Sequence, residues 1–264
     1  MTITIPDTMA AVFLTGHGGY DMLDYRTEVP VPTAGPGEVL IRVGAAGVNN
    51  TDINTRTAWY SKSVTTGTNQ GGGVGFGVDD DADGSWTGSP LHFPRIQGAD
   101  ACGRIAAVGE GVDPGRIGER VLVRSVQPDP AGAFETSCLT GGSECDGGFA
   151  QYATARSSMT LAVESQWTDV ELASIPCAYS TAEGMIDRAS VGAERVLITG
   201  ASGGVGTAAI QLCARRGAEV IAIAGAAKRD DVLSLGASAA FPRDADLVAE
   251  LGADSIDVVL DVVA

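Results

Sequence analysis

The run Val196-Leu-Ile-Thr-Gly-Ala-Ser-Gly-Gly-Val-Gly206 has the residue types and spacing to hold a phosphorylated ligand. An apolar stretch enters a glycine turn, and a helical pattern (Thr207-Ala-Ala-Ile-Gln-Leu-Cys-Ala-Arg-Arg216) leaves it. A strand feeding a helix through glycines aims the helix's unpaired N–H groups at an anion, the arrangement that binds a dinucleotide's pyrophosphate. Gly203 lets backbone approach the phosphates, Gly206 lets helix and strand pack closely, and Ala201 stands where G-x-G-x-x-G has its first glycine. Ala201, Ser202, Gly203, Gly204, Val205 and Gly206 are therefore the expected cradle. After a second strand-like run (Ala218–Ala224) comes Gly225-Ala-Ala-Lys-Arg229, two adjacent cations with no acid to bond the two ribose hydroxyls of NAD. Lys228 and Arg229 would instead attract a 2′-phosphate, so the expected cofactor is NADP(H). Cations at a helix start oppose the helix dipole, and a ligand phosphate would offset that cost.

A second polar group sits far upstream: Asn49, Thr51, Asp52 and Tyr60. Thr51 and Tyr60 carry hydroxyls able to pass a proton, Asn49 an amide able to bond a substrate oxygen, and Asp52 a carboxylate suited to bonding local backbone. His17 and His92, in turn and loop segments, are expected at the surface. The cysteines, Cys102, Cys138, Cys145, Cys177 and Cys213, form no C-x-x-C and are expected to be reduced thiols. The triplet Asp79-x-Asp81-x-Asp83-Gly84 opens like a calcium loop, but Pro90 stands at its twelfth position, so a solvated acidic loop is expected.

The elements that must position these groups fall into two halves. Short strands separated by glycines are expected at 10–14 and 22–26, forming a hairpin, then at 37–44, 103–109, 120–124 and 148–153. They suggest a compact β-barrel over residues 1–165, with a mobile surface insertion at 65–90. From Thr168, whose capping pattern includes Glu171, the chain turns helical. Strands at 195–200, 219–224, 239–241 and 257–262 then alternate with helices at 205–216, 229–235 and 246–251. That alternation predicts a parallel sheet with right-handed crossovers in a dinucleotide-binding domain over 166–264. The last strand would be left at an open edge, so the reading takes the Rossmann domain as incomplete and the fragment as inactive by itself. A net charge of −16 argues against nucleic acid and anionic membrane as partners. With neither a secretion signal nor a spanning run, a small-molecule substrate and a cytoplasmic location are expected.

Together, Pro36-Gly-Glu-Val-Leu-Ile-Arg-Val43, Gly47-Val-Asn-Asn-Thr-Asp52, Gly98-Ala-Asp-Ala-Cys-Gly103, Gly118-Glu-Arg-Val121, Gly147-Gly-Phe-Ala-Gln-Tyr152, Cys177-Ala-Tyr-Ser-Thr-Ala182 and the glycine turn resemble the medium-chain dehydrogenase/reductase superfamily over nearly the whole chain. The resemblance implies an α/β protein: an N-terminal GroES-like β-barrel domain followed by a Rossmann parallel-sheet domain. It also implies a homodimer at full length and a contact of Thr181 with the nicotinamide. Zinc-dependent members hold the metal with Cys, His and Cys. Those positions here are Asn49, Ala99 and Cys177, and one thiolate cannot form the three-ligand site, so no metal is expected. Cys177 then reads as a small packed residue near the nicotinamide. The match moves to the zinc-independent quinone oxidoreductase and enoyl reductase branches, with Asn49, Thr51 and Tyr60 as candidate catalytic residues. An alcohol dehydrogenase-like carbonyl reductase and a non-enzymatic NADPH-binding protein are the alternatives. The short-chain dehydrogenases share T-G-x-x-x-G-x-G, but in this chain it begins only at Thr199 and no Tyr-x-x-x-Lys follows.

Overall fold

Short glycine-punctuated strands run as far as residue 162, and helix–strand alternation follows. In the computed structural model, which describes residues 4–79, 83–129 and 137–263, these patterns become two units, Met1–Pro176 and Cys177–Ala264. Residues 166–176, which the sequence reading gave to the second half, cluster with the first. Arg120 Nη2 lies 2.6 Å from Asp169 Oδ1, and Leu172 and Ala173 pack beside Cys102.

The first unit contains β1 (Thr8–Leu14), β2 (Leu23–Pro30), β3 (Glu38–Ala45), α1 (Asn50–Thr57), β4 (Arg95–Ile96), β5 (Cys102–Val108), β6 (Arg120–Val123), β7 (Val126–Pro128), β8 (Cys138–Thr140), β9 (Tyr152–Arg156), β10 (Thr160–Ala162) and α2 (Asp169–Leu172). β1 and β2 form the expected hairpin, with Val12 opposite Tyr25. The sheets are β2-β1-β4, the antiparallel β10-β6-β5-β3-β9, and the pair β7-β8. β3 is the keystone: Val39 and Ile41 pack with Ile105, Val121 and Ala155, while Leu40 on its other face joins Met9, Ala11, Ile96 and Tyr152. Alternation along one strand thus builds two cores. The strand expected at 148–153 begins instead at Tyr152. Phe149–Gln151 is the corner between two sheets: Val12 donates to the Phe149 carbonyl and Gln151 to that of Ala10, while Val43 donates to the Gln151 carbonyl.

α1 is absent from the sequence reading. Its residues, Asn-Thr-Asp-Ile-Asn-Thr-Arg-Thr, have no apolar stripe, yet Asp52, Asn54, Thr55, Arg56 and Thr57 are buried. Helix formation here depends on side-chain hydrogen bonds rather than on amphipathic packing.

The second unit starts at Cys177, the second residue of α3 (Pro176–Arg188). It continues through β11 (Arg195–Ile198), α4 (Gly204–Arg216), β12 (Glu219–Ile223), α5 (Arg229–Ser234), β13 (Ala239–Phe241), α6 (Leu247–Leu251) and β14 (Val258–Leu260). Every strand and helix expected from 195 onward is present within two residues of its expected bounds. The sheet is parallel, in the order β13-β12-β11-β14. Its core joins Val196, Ile198, Val220 and Ala222 to Ile186 of α3, Ile210 and Cys213 of α4 and Val232 of α5.

Candidate functional site

In the second unit, β11 ends in a turn whose left-handed residue is Gly200, with φ +54°. This differs in detail from the sequence reading: Gly200, one residue before Ala201, takes the strained conformation. Ala201 is therefore free to be fully buried, with its N–H donating 3.1 Å to the Ile223 carbonyl. Gly203 is the N-cap of α4, and its N–H donates to the Gly200 carbonyl at 3.0 Å. A Cβ on Gly206 would stand 2.3 Å from the Gly200 oxygen and 2.7 Å from the Ala201 Cα, so glycine is required for this close approach. Ser202, Gly203 and Gly204 are exposed, Val205 is half-buried, and the nearest atom to a Cβ on Gly203 would be 3.4 Å away. An open, glycine-lined backbone at the start of a 13-residue helix fits a pyrophosphate.

The remaining cofactor candidates lie in the same unit. Lys228 Nζ is 3.1 Å from Asp231 Oδ2 in an exposed pair, and Arg229 Nε donates to the Ala240 carbonyl at 3.5 Å. Asp230 and Asp231 in the first turn of α5 complement its dipole, so the two cations are less exceptional there than the sequence suggested. Thr181 is an exposed residue of α3, and Cys177 lies half-buried in that helix's first turn.

In the first unit, the structure brings Thr51 and Tyr60 together: the Tyr60 hydroxyl donates to Thr51 Oγ1 at 2.9 Å. The reversal that makes this possible is Ala58, which caps α1 in the left-handed region at φ +60°. Asn49 is the N-cap of α1, and its Nδ2 donates 2.9 Å to Oδ2 of the fully buried Asp100. Ser125 Oγ donates to the other Asp100 oxygen at 3.0 Å. Asp52 has the backbone role expected of it, accepting from the N–H groups of Asn49 (2.8 Å), Gly98 (3.2 Å) and Ala99 (3.0 Å). Gln97 Nε2 donates to the Asp52 carbonyl. Burial pushes the Asp52 carboxyl up to about 6; the three N–H groups pull it down, and the neighbouring Asp100 charge adds a smaller upward push.

Two first-unit residues that sequence reasoning misplaced or missed fasten α1 to its surroundings, His17 from outside the helix and Arg56 from within it. His17 is buried rather than at the surface, with Nδ1 3.0 Å from the Thr55 carbonyl and its ring edge-on to Phe93 at 5.0 Å. Its apolar neighbours and backbone partner come from distant segments, which a turn sequence does not reveal. Arg56 is buried with its guanidinium donating to the Gly18 and Gly72 carbonyls, each at 2.6 Å, over the Tyr20 ring at 4.6 Å. The only local signal was Asn49-x-x-Asp52, a capping spacing that could have announced α1. Residues 65–79 and 83–90 are correspondingly tied down: Trp59 Nε1 donates to the Thr66 carbonyl, Phe76 N–H to that of Thr57, and Ser61 Oγ to Asp83 Oδ1. The expected mobile insertion is in these parts hydrogen-bonded to the α1 segment, although most of its residues are exposed; Asp81 lies outside the described residues. His92 is exposed as expected, and it lines a cleft of about 590 Å³ with Trp86, Arg95, Cys138 and Glu144, to which neither Thr51 nor Tyr60 contributes.

Among the described residues, no group of three or more His, Cys, Asp and Glu side chains is placed to hold a metal. At the positions that carry zinc ligands in the metal-dependent relatives, the Asn49 amide is bonded to Asp100 and Ala99 presents a buried methyl, so this donor set does not fit zinc. Burial pushes the Cys102, Cys145 and Cys213 thiols up to about 11, which keeps them protonated and poorly nucleophilic. The described residues contain no helix long and apolar enough to cross a membrane.

Comparison with known proteins gives a consistent picture. Residues 35–165 match the Alcohol dehydrogenase GroES-like domain family. A solved structure from Sinorhizobium meliloti 1021, assigned as an alcohol dehydrogenase, is 43% identical with a TM-score of 0.81, covering 97% of this chain and 69% of that one. The human quinone oxidoreductase is 29% identical over 97% of this chain and 67% of its own length. A crystal structure of an NAD-dependent alcohol dehydrogenase is 26% identical with a TM-score of 0.75, covering 95% of this chain and 70% of that one. The chain thus spans about two thirds of the length of the relatives it matches.

Proposed function

Because this chain belongs to the medium-chain dehydrogenase/reductase superfamily of oxidoreductases, we propose that it serves an NADPH-dependent reductase of quinones, enones or similar activated alkenes and carbonyls, working without catalytic zinc. The observation that carries this reading is the contrast at α1: the metal-ligand positions are taken by Asn49 and Ala99, while a hydroxyl pair, Tyr60 on Thr51, remains. Without a Lewis acid, negative charge on a simple ketone oxygen lacks its strongest stabiliser. Addition to an activated alkene or quinone forms a delocalised enolate or hydroquinone anion, which hydrogen bonds and one proton donor can manage. Tyr60 is that donor in this proposal, and Thr51 receives its hydroxyl and keeps it oriented.

The second unit supports the nucleotide part of the reading. Gly203 to Gly206 and the α4 N-terminus would hold the pyrophosphate of a nicotinamide dinucleotide, which when bound supplies hydride. Lys228 would bond the 2′-phosphate; its exposed pairing with Asp231 is worth little and can be exchanged. The absence of an acid between β12 and Lys228 favours NADPH over NADH, and the resemblance to quinone oxidoreductase favours this substrate class over simple alcohols. A small-molecule substrate is the only partner this reading requires.

The test is a titration of NADPH and NADH on the unmodified chain and on Lys228→Ala, with quinone and enone turnover and zinc content measured alongside. NADPH should bind more tightly than NADH, and Lys228→Ala should weaken NADPH binding by about 1–3 kcal/mol, the scale of a charged hydrogen bond. Equal affinities, or one chelator-resistant zinc per chain, would refute the reading.

A further inference from the structure

Resting on the reductase reading, we propose that Asp83, through its hydrogen bond from Ser61, is a positioning residue that holds the Tyr60 hydroxyl against Thr51. Tyr60 does not lie on α1. It follows the left-handed cap at Ala58 and must be brought back over Thr51 by the segment that contains it. That segment is fastened on both sides of Tyr60. On one side Trp59 Nε1 donates to the Thr66 carbonyl at 2.8 Å, with its ring edge-on to that of Tyr60 at 5.6 Å. On the other, the Ser61 hydroxyl, itself 3% exposed, donates to Asp83 Oδ1 at 2.7 Å, and the Lys62 N–H approaches Asp83 Oδ2 at 3.4 Å.

Asp83 can serve as an anchor because the chain beside it is fixed. Gly84 lies against His17 so closely that a Cβ would stand 2.4 Å from Nε2, and His17 is bonded to the Thr55 carbonyl of α1. The other stretch of the insertion is fixed as well, by Arg56 on the Gly72 carbonyl and by Phe76 N–H on that of Thr57. Asp83 is thus next to a residue packed on His17, which is bonded to the helix that carries Thr51, and its carboxylate reaches the turn that carries Tyr60. The last acid of the Asp79-x-Asp81-x-Asp83 triplet, which the sequence suggested was solvated, has both oxygens committed to Ser61 and Lys62. Removing either Asp83 or Ser61 breaks one bond from its two ends, which gives the proposal a specific signature.

The experiment labels the full chain with 3-fluorotyrosine and assigns the Tyr60 resonance with Tyr60→Phe. Asp83→Ala and Ser61→Ala should both move that resonance, and the double variant by less than the sum of the two, because both remove the Ser61–Asp83 bond, while Ser61→Ala also loses its contacts with Ser63 and Asp83→Ala its contact with the Lys62 N–H. The Tyr179 resonance, in the nucleotide-binding unit, should stay in place. Reduction of 1,4-benzoquinone should lose about tenfold to a hundredfold in kcat, as expected for a misplaced reacting group, with KM for NADPH unchanged. Asp83→Asn, which keeps an acceptor for Ser61, should restore both readouts. A Tyr60 resonance unmoved in both single variants, or shifts that simply add in the double, would overturn the proposal. If Asp83→Ala does not fold, Ser61→Ala decides on the same readouts. If the chain, which spans about two thirds of its relatives' length, reduces no quinone by itself, the fluorine resonance alone decides the positioning; equal affinities for NADPH and NADH would refute the reductase reading separately.

Discussion

Between Gly200 and Gly206 the cradle is made of backbone: Gly203 bonds Gly200, Ala201 bonds the adjacent strand at Ile223, and no charged side chain takes part. Around α1 the construction is reversed. Asn49 reaches Asp100 across 51 residues, Asp52 reaches Gly98 across 46, and Arg56 reaches Gly18 across 38, each through a side chain. The first region tolerates changes of side chain but not the addition of a Cβ at its closest approach. The second tolerates little change in its polar groups, because each bonds a segment that would otherwise be buried unsatisfied.

That contrast is broken most forcefully at Gly206. Gly206→Ala places a carbon against backbone atoms of Gly200 and Ala201, which have no side-chain freedom with which to yield. We expect a loss of about 3 kcal/mol in urea unfolding, the upper range for overpacking, and loss of NADPH binding in a fluorescence titration. A variant as stable as the parent would show that the close approach is not needed.

Arg56→Met tests the other region. It takes the Arg56 donor from the half-buried Gly18 and Gly72 carbonyls and removes the cation from the Tyr20 ring. A loss of about 2–3 kcal/mol is expected, the scale for hydrogen bonds to a charged group. NADPH affinity should be unchanged, since the cradle belongs to the other unit. Chemical denaturation and the same nucleotide titration check both halves, and a fall in affinity would refute the independence of the two regions.

The smallest effect is a pH dependence at Asp52. Its carboxyl titrates at about 6 in the folded chain against an ordinary value of 3.8, because burial outweighs the three N–H bonds. Between those two values the native state holds a proton that the unfolded chain has released, so raising the pH across this window destabilises the fold. Relative to Asp52→Asn, the unmodified chain should lose on the order of 2 kcal/mol between pH 4 and 6 and be level on either side. Melting curves at both ends of the window measure it; a gap between the two proteins that does not change with pH would exclude the raised value.

The order of β11, α4, β12, α5, β13, α6 and β14 was legible in the sequence because each element is written locally. Apolar runs of strand length, helical periodicity and glycines at forced backbone positions need no distant partner to be interpreted. Asn49 and Ala99, at the positions where the family resemblance expects zinc ligands, were legible as residues that cannot serve as such ligands. What tertiary structure alone decided lies around α1: a helix without an apolar stripe, a turn histidine that is buried, an arginine inside the protein, and a strand expected at 148 that first turns a corner between sheets. In the first three cases the deciding energy is the hydrogen bonding of a buried polar group to a segment tens of residues away; at the corner it is the backbone bonding of Phe149 and Gln151 to β1 and β3. No local pattern encodes that choice, because the cost of burying Arg56 or Asp52 is met only when Gly18, Gly72, Gly98 and Ala99 arrive beside them.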